Sequence, residues 1–335
     1  MDSLTHIALG AVIGEAVAGR SIGKKALWLG ALAQSFPDID FINSFFLDPS
    51  QNLLAHRGLT HSFLFAAVAT LLFSFIARRS DRAGRMSMLK WMLFFGTEIV
   101  LHLLLDACNA YGVGWFEPFS HLRVSFNMLY VADPFFSVWA GVAFAVLLIM
   151  KMNNPRRKHW VAGCLLLTSL YFLYAVTNKL LINNKVKDTL TAQGVTYQRY
   201  FATPTPFNTW LWYFVAEADS GYYIGHRSVF DHSPSKLAFY PKQKKILDSL
   251  RHVPAVRDLL TFSQGYYTVD SVDSVIVFND LRFGQVMGWS DPKARFVFRY
   301  YLTRPEENLL VMQRGRFTGW SRKSILAMLR RIKGI

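Results

Sequence analysis

Three ionisable side chains, Glu98, His102 and Asp106, follow one another at intervals of four residues inside a long apolar stretch. Side chains four positions apart on a helix lie on the same face, so the spacing predicts a polar stripe along one side of a membrane helix. Such residues are costly in lipid and usually carry function, whereas burial for helix packing alone is the structural alternative. His-x-x-x-Asp is also a spacing at which an imidazole and a carboxylate can hold one cation.

Further imidazoles and carboxylates precede this stripe in three short segments. Alone, each has a structural interpretation, because Pro-Asp-x-Asp is a common turn sequence and a lone histidine is usually a hydrogen-bonded polar residue. Together, several histidines and carboxylates suit zinc or a similar divalent ion, and their number permits one or two ions. The predicted metal ligands are His6, Asp38, His56, His61, His102 and Asp106.

The composition indicates a membrane protein, since 52% of the 335 residues are hydrophobic and only 18% are charged. A net charge of +15 does not indicate nucleic-acid binding, because the cations stand in short clusters that flank apolar segments. Cys108 and Cys164 form no Cys-x-x-Cys pair, so neither a thiolate zinc site nor a disulfide framework is expected. Asp2, His6 and Glu15 interrupt the first apolar stretch, and we therefore expect no cleavable signal peptide.

Apolar stretches of the length that a bilayer requires occur four times, at residues 59–77, 88–107, 130–150 and 160–182. Two shorter stretches, 4–19 and 26–36, either cross as a small-residue hairpin or re-enter from one side. We therefore predict a transmembrane α-helical bundle of about six membrane segments over residues 1–182, which carries the metal site. A soluble α+β domain is predicted over residues 183–335.

Basic clusters orient the predicted segments. They lie at residues 20–25, 78–90 and 151–158, and the positive-inside rule places all three on the cytoplasmic side. The N-terminus, the connections at 37–58 and 108–129, and the C-terminal domain then fall on the outer side. All the candidate ligands consequently lie at one depth, near the outer surface of the membrane. Random placement would scatter them between the two faces.

The predicted C-terminal domain differs in character from the membrane region. A helix is expected to continue out of the last span over residues 183–193. Beyond it, runs rich in β-branched and aromatic residues alternate with turn residues and predict strands at 196–201, 210–216, 222–230, 274–278, 295–301 and 309–313. The tail, residues 321–335, predicts an amphipathic basic helix that either lies on anionic lipid or closes the domain in solvent.

Four motifs in residues 1–112 together resemble the YdjM-like family of membrane-bound metal-dependent hydrolases: Thr5-His6, Pro37-Asp38-Ile39-Asp40, His56-Arg57-Gly58-Leu59-Thr60-His61 and His102-Leu103-Leu104-Leu105-Asp106. That family is remotely similar to zinc-dependent phospholipase C and single-strand nucleases. In those enzymes a His-x-x-x-Asp helix and further His and Asp residues hold zinc ions. The resemblance therefore implies phosphoester hydrolysis.

These observations predict a metal-dependent hydrolase of the inner (cytoplasmic) membrane. One or two divalent ions, with zinc expected, would activate water for attack on a lipid or lipid-linked substrate at the outer leaflet. Asp40 is the predicted group that orients or deprotonates this water, and Arg57 the predicted phosphate-binding cation. No nucleic-acid partner is expected.

Two other classes remain open from the sequence. A divalent-cation transporter also needs His and Asp in the membrane, although transport sites tend to lie near the midplane with access from both sides. A metal-stapled structural membrane protein would use the ion only to hold helices together. Metal content, phosphoester hydrolysis and ion flux distinguish the three.

Overall fold

The computed structural model describes residues 1–272, 275–304, 308 and 320–334. The chain divides into two compact units. The first comprises Met1–Asn43 and Ala55–Ala175, and the second comprises Ser44–Leu54 and Val176–Ile335. A helical N-terminal region followed by a C-terminal sheet-containing domain is therefore confirmed.

The first unit is helical. Its elements are α1 (Ser3–Ile22), α2 (Lys25–Ser35), a first 3₁₀ helix (Phe36–Phe45), a second 3₁₀ helix (Leu59–His61), α4 (Phe63–Ser80), α5 (Met88–Asp106), α6 (Pro134–Ile149) and the first half of α7 (Arg157–Ala192). Side-chain caps fix where four of these helices begin: Asp2, Ser62, Ser87 and Asp133 each accept a backbone N–H of the first turn.

Three helices among the described residues are long and apolar enough to cross a membrane: α4, α5 and α7. They correspond to three of the four stretches that the sequence predicted as full spans. The fourth corresponds to α6, an apolar helix of 16 residues. The predicted total of about six membrane segments is not confirmed, and the crossing or re-entry of α1 and α2 stays a prediction.

Close packing between α1 and α2 depends on glycine. A Cβ on Gly30 would overlap the backbone oxygen of Gly10, and a Cβ on Gly14 would overlap that of Ala26. The two helices can approach this closely only because these positions lack side chains. As a consequence, His6 on α1 and Gln34 on α2 both lie against α5.

The second unit contains two antiparallel sheets. One has the order β1 (Arg199–Pro204), β2 (Leu211–Glu217), β3 (Gly221–Ser228) and β4 (Ala238–Pro241), and the other has the order β5 (Tyr267–Val272), β6 (Val275–Gln285) and β7 (Phe296–Tyr301). The helices of this unit are α3 (Pro49–Ala55), α8 (Lys244–Asp248), α9 (Pro254–Phe262) and α10 (Arg322–Ile332). The predicted strand at 309–313 lies outside the described residues.

The core of the first sheet is covered by the end of α7. Ile182, Val186 and Leu190 recur on one side of this helix and pack with Trp212 and Phe214 of β2. The last predicted span and the predicted helix at 183–193 are thus one continuous helix of 36 residues. Since α7 runs through both units, the predicted boundary after residue 182 falls inside it.

Candidate metal centre

Four of the six predicted ligands converge in the first unit. Asp38 comes from the first 3₁₀ helix, His61 from the second, and His102 and Asp106 from the last two turns of α5. One nitrogen or oxygen atom of each lies within 4.8 Å of the others. The side chains of His61, His102 and Asp106 are fully buried, whereas that of Asp38 is 23% exposed and therefore marks the accessible side of the cluster.

The spacing of the donor atoms matches a single tetrahedral ion. The two Nε2 atoms of His61 and His102 are 3.0 Å apart. Oδ2 of Asp106 is 3.4 Å from Nε2 of His61 and 3.6 Å from Nε2 of His102, and Oδ1 of Asp38 is 3.6 Å from each imidazole nitrogen. Ligands at zinc-like bond lengths around a tetrahedron are about 3.3 Å apart. These side chains can therefore hold one divalent ion without a large rearrangement.

Hydrogen bonds orient both imidazoles toward the cluster. Nδ1 of His102 lies 2.5 Å from the backbone oxygen of Gln34, which accepts only if Nδ1 carries the proton. Nε2 then keeps its lone pair for a metal. Nδ1 of His61 lies 3.0 Å from the hydroxyl of Thr60 and 3.5 Å from Oδ2 of Asp40. Partners of this kind are typical of metal-binding histidines.

Asp40 lies behind the cluster and is 2% exposed. Its Oδ1 is 3.1 Å from Nδ1 of His56, and its Oδ2 accepts the backbone N–H of Arg57 at 2.6 Å. Burial alone would raise the pKa of Asp40. The hydrogen bonds from His56 and Arg57, with the nearby His61 ring, outweigh it and lower the pKa below its ordinary value. Asp40 is thus a carboxylate at neutral pH and holds two predicted ligand residues in place.

His6 and His56 flank the four-residue cluster. Nε2 of His6 is 3.2 Å from Oδ1 of Asp106, and the His6 ring stacks on that of His102 with centroids 3.9 Å apart. Oδ1 of Asp106 therefore faces His6, whereas its Oδ2 faces His61 and His102. His56 is 34% exposed, and its ring centroid is 6.5 Å from that of His61. Their assignment as ligands stays a prediction.

Arg57 lies beside the cluster as the sequence predicted, although it is buried. Its Nε is 2.9 Å from Oδ2 of Asp106, its Nη1 donates to Oδ1 of Asn109 at 2.9 Å, and the guanidinium lies 5.2 Å from the centre of the Tyr111 ring. Arg57 has a left-handed backbone with φ of 58°. This strained conformation places its N–H on Asp40 and its side chain on Asp106.

Four further groups support the candidate centre and were not predicted from the sequence. Arg123 donates to the backbone oxygen of His56 at 2.7 Å and so fixes that loop. The α-amino group of Met1 contacts Oδ1 of Asp106. Asn109 follows Asp106 by three positions, a helical spacing that could have indicated it. The oxygen that Gln34 contributes belongs to the backbone, and therefore no side-chain pattern could reveal it.

The donor set fits a metal ion on two observations. Two imidazole nitrogens and two carboxylate oxygens are the ligands of zinc and similar divalent ions. Oδ2 of Asp106 is buried and faces both imidazoles, and its ion-pair partner is Nε of Arg57 at 2.9 Å. A carboxylate oxygen directed at two imidazole nitrogens is in position to share a cation with them. By geometry and chemistry, these four side chains could hold a divalent metal ion.

Comparison with known proteins places this cluster in a family region. The family model for the YdjM inner membrane protein matches residues 1–181. Inner membrane protein YbcI of Escherichia coli (strain K12) is 30% identical over 180 residues, which are 50% of this chain and 96% of that protein. Uncharacterized protein YfhP of Bacillus subtilis (strain 168) is 28% identical over 158 residues, 44% of this chain and 46% of that protein. No solved structure matches.

Proposed function

The chain belongs to the YdjM inner membrane protein family, and on this premise we propose that it is a membrane-embedded metal-dependent hydrolase. Its substrate would be a phosphoester of a lipid or of a lipid-linked molecule. The observation that carries the proposal is the meeting of Asp38, His61, His102 and Asp106 around one point, although these residues are far apart in the sequence. An ion held by these donors supplies Lewis-acid activation of water at neutral pH.

A proton acceptor stands next to the cluster. In this proposal His56, rather than Asp40, accepts the proton of the attacking water and is not itself a metal ligand. It is partly exposed, and because Asp40 holds its Nδ1, its Nε2 is the nitrogen that takes the proton. Asp40 then orients the water through the imidazoles that it holds. The same imidazole can return the proton to the leaving oxygen.

Positive charge for a phosphate comes from Arg57. Its guanidinium contacts Asp106 at the edge of the cluster and stacks on Tyr111, which keeps its plane fixed. A planar guanidinium can bind two oxygens of a phosphate at once. The guanidinium nitrogens of Arg57 already contact Asp106, Asn109 and the backbone oxygen of Met1, so in this proposal Arg57 exchanges one of these contacts for the substrate phosphate. It then stabilises the negative charge that develops during hydrolysis.

Placement of the cluster supports a substrate at headgroup depth. Asp106 is the last residue of α5, one of the helices long enough to span a bilayer, so the donors lie at the end of a span. Lipid phosphates occupy that depth. Under the positive-inside rule this end faces outward, and the C-terminal unit lies on the same side.

Cation transport is the second candidate function, and Glu98 favours it. This carboxyl lies one helical turn deeper than His102, is fully buried, and has two oxygens without a hydrogen-bond partner among the described residues. An ionisable group at such a depth is typical of ion pathways. Cation flux into vesicles that depends on Glu98 would support transport rather than hydrolysis.

The test of hydrolysis uses the full chain in detergent, loaded with zinc. We expect it to hydrolyse bis-p-nitrophenyl phosphate or an anionic phospholipid, and we expect His102→Gln and Asp38→Asn to lower kcat at least about 100-fold because each removes a metal donor. His121→Gln is the matched control, since the His121 side chain is 79% exposed and pairs with Glu117, which is not one of the converging residues. A zinc-loaded wild type without activity toward any such ester would contradict the proposal.

A further inference from the structure

An apolar groove of about 430 Å³ lies on the first unit. Its walls come from α2, α4 and α5, with one residue from α1 and one, Phe36, from the first 3₁₀ helix. Most of them are aliphatic or aromatic: Ile22, Leu29, Leu32, Phe73, Trp91 and Phe95. Along α5, Trp91 precedes His102 by eleven residues, which corresponds to about 16 Å of helix. The end of the groove that Trp91 lines therefore lies about three helical turns from the candidate metal centre, while Phe36, also in the lining, stands two positions before Asp38 in the sequence.

The polar residues of the groove gather where helices begin or end. Lys25 is the first residue of α2, Ser80 is the last of α4, and Asp81 and Arg85 belong to the connection between α4 and α5. Asp81 is already engaged, because its Oδ1 pairs with Nε of Arg85 at 3.2 Å and its Oδ2 accepts the backbone N–H of Met86. Further exposed arginines lie nearby: Arg78 and Arg79 in the last turn of α4, and Arg82 in the connection. This end of the groove is positively charged.

We propose that the groove binds one anionic phospholipid, with an acyl chain along the apolar walls and the phosphate beside Lys25 and Arg85. Because α4 and α5 are candidate membrane spans, the groove is open to the hydrocarbon of the bilayer. Leu32, which lines it, is 67% exposed and needs an apolar neighbour. The combination of an apolar channel with cations at one end matches an amphiphile with a negative head group.

The alternatives fit the groove less well. A soluble anion would use only the charged end and leave the apolar walls in water. A zwitterionic lipid would fill the walls but bring no net charge to the cations. Since the excess positive charge is what selects the head group, the structure predicts preference for an anionic lipid over a neutral one.

Lipid retention tests this site without any reference to hydrolysis or metal. The full chain is purified in detergent, incubated with equal amounts of phosphatidylglycerol and phosphatidylcholine, and its bound lipids are counted by native mass spectrometry. We expect one tightly bound phosphatidylglycerol, preferred about 10-fold or more, because each cation near an anionic head group contributes to binding. A double variant, Lys25→Gln with Arg85→Gln, should remove the preference.

Two further variants make the result decisive. Ala77→Phe fills the groove from α4 and should abolish retention of both lipids. If this variant does not purify as a monodisperse species, Leu32→Trp fills the groove from α2 and is used in its place. Lys151→Gln with Arg156→Gln makes the same change of charge at exposed residues of the α6–α7 connection and should leave the preference intact. Equal retention of both lipids by the wild type, or equal loss in this control, would show only non-specific annular lipid and overturn the proposal.

Discussion

Asp40 contacts two imidazoles of the metal centre through different oxygens, His56 through Oδ1 and His61 through Oδ2. It is not among the four residues whose donor atoms converge, yet it determines how two of the predicted ligands point. Residues in this position generally affect metal affinity nearly as strongly as the ligands themselves. The assignment of Asp40 can therefore be tested by a change that keeps its shape.

We predict that Asp40→Asn weakens metal binding about 10- to 100-fold, because the amide loses the negative charge that holds the two imidazoles. The measurement is competition with a zinc chelator on the purified full chain. Asp48→Asn is the matched control, since Asp48 is exposed and belongs to the other unit. An unchanged affinity in Asp40→Asn would show that Asp40 does not orient the ligands.

Sequence reasoning found the converging side chains but not all their partners. His-x-x-x-Asp spacing and membrane depth were enough to bring His102 and Asp106 together with Asp38 and His61, because charged groups in a bilayer need one another. The backbone oxygen of Gln34 carries no side-chain signal, and the inward position of Arg123 depends on the path of a loop. Patterns of residue type record side chains and periodicity but not loop geometry.

At the scale of elements, the hairpin of α1 and α2 positions the centre. His6 lies on α1, and α2 supplies the carbonyl that orients His102 and leads directly into the 3₁₀ helix that carries Asp38. The sequence showed that these stretches are rich in small residues. It could not show whether they cross the membrane, because both are short and their packing depends on contacts with α5 and α6.

We predict that Gly30→Ala destabilises the protein by about 1–3 kcal/mol, because the added Cβ overlaps the backbone of α1 and cannot be relieved by a side-chain rotation. Gly163→Ala is the matched control, since nothing lies within 4 Å of a Cβ at that helical position. The measurement is the midpoint of thermal or denaturant unfolding in detergent. Equal midpoints for the two variants would contradict the close approach of α1 and α2.

At the scale of the whole molecule, the family match covers the helical region of the chain. The family match ends at residue 181. The alignment with YbcI covers 96% of that protein but only 50% of this chain. The metal centre lies wholly within the matched region. We therefore expect metal binding to be a property of the family region and the two sheets to add something specific to this chain, such as substrate selection.

The side of the membrane on which each part of the chain lies can also be predicted and tested. The distribution of basic residues predicts that the second unit and the α6–α7 connection lie on opposite sides of the membrane. A cysteine at Ser220 should react with a membrane-impermeant maleimide in intact cells, and a cysteine at Lys151 should react only after the membrane is opened. Cys108 and Cys164 are buried, so the parent protein is the control. The reverse pattern would place the metal centre on the cytoplasmic side.

The central claim is that Asp38, His61, His102 and Asp106 together hold a divalent ion. Metal content measured by inductively coupled plasma mass spectrometry on the purified full chain tests it most directly. We predict one or two equivalents of zinc or a similar ion in the wild type, about one-tenth of that or less in a His61→Ala/His102→Ala variant, and wild-type content in His121→Ala. A wild type that holds no metal after incubation with zinc, or a double variant that still holds a full equivalent, would contradict the account.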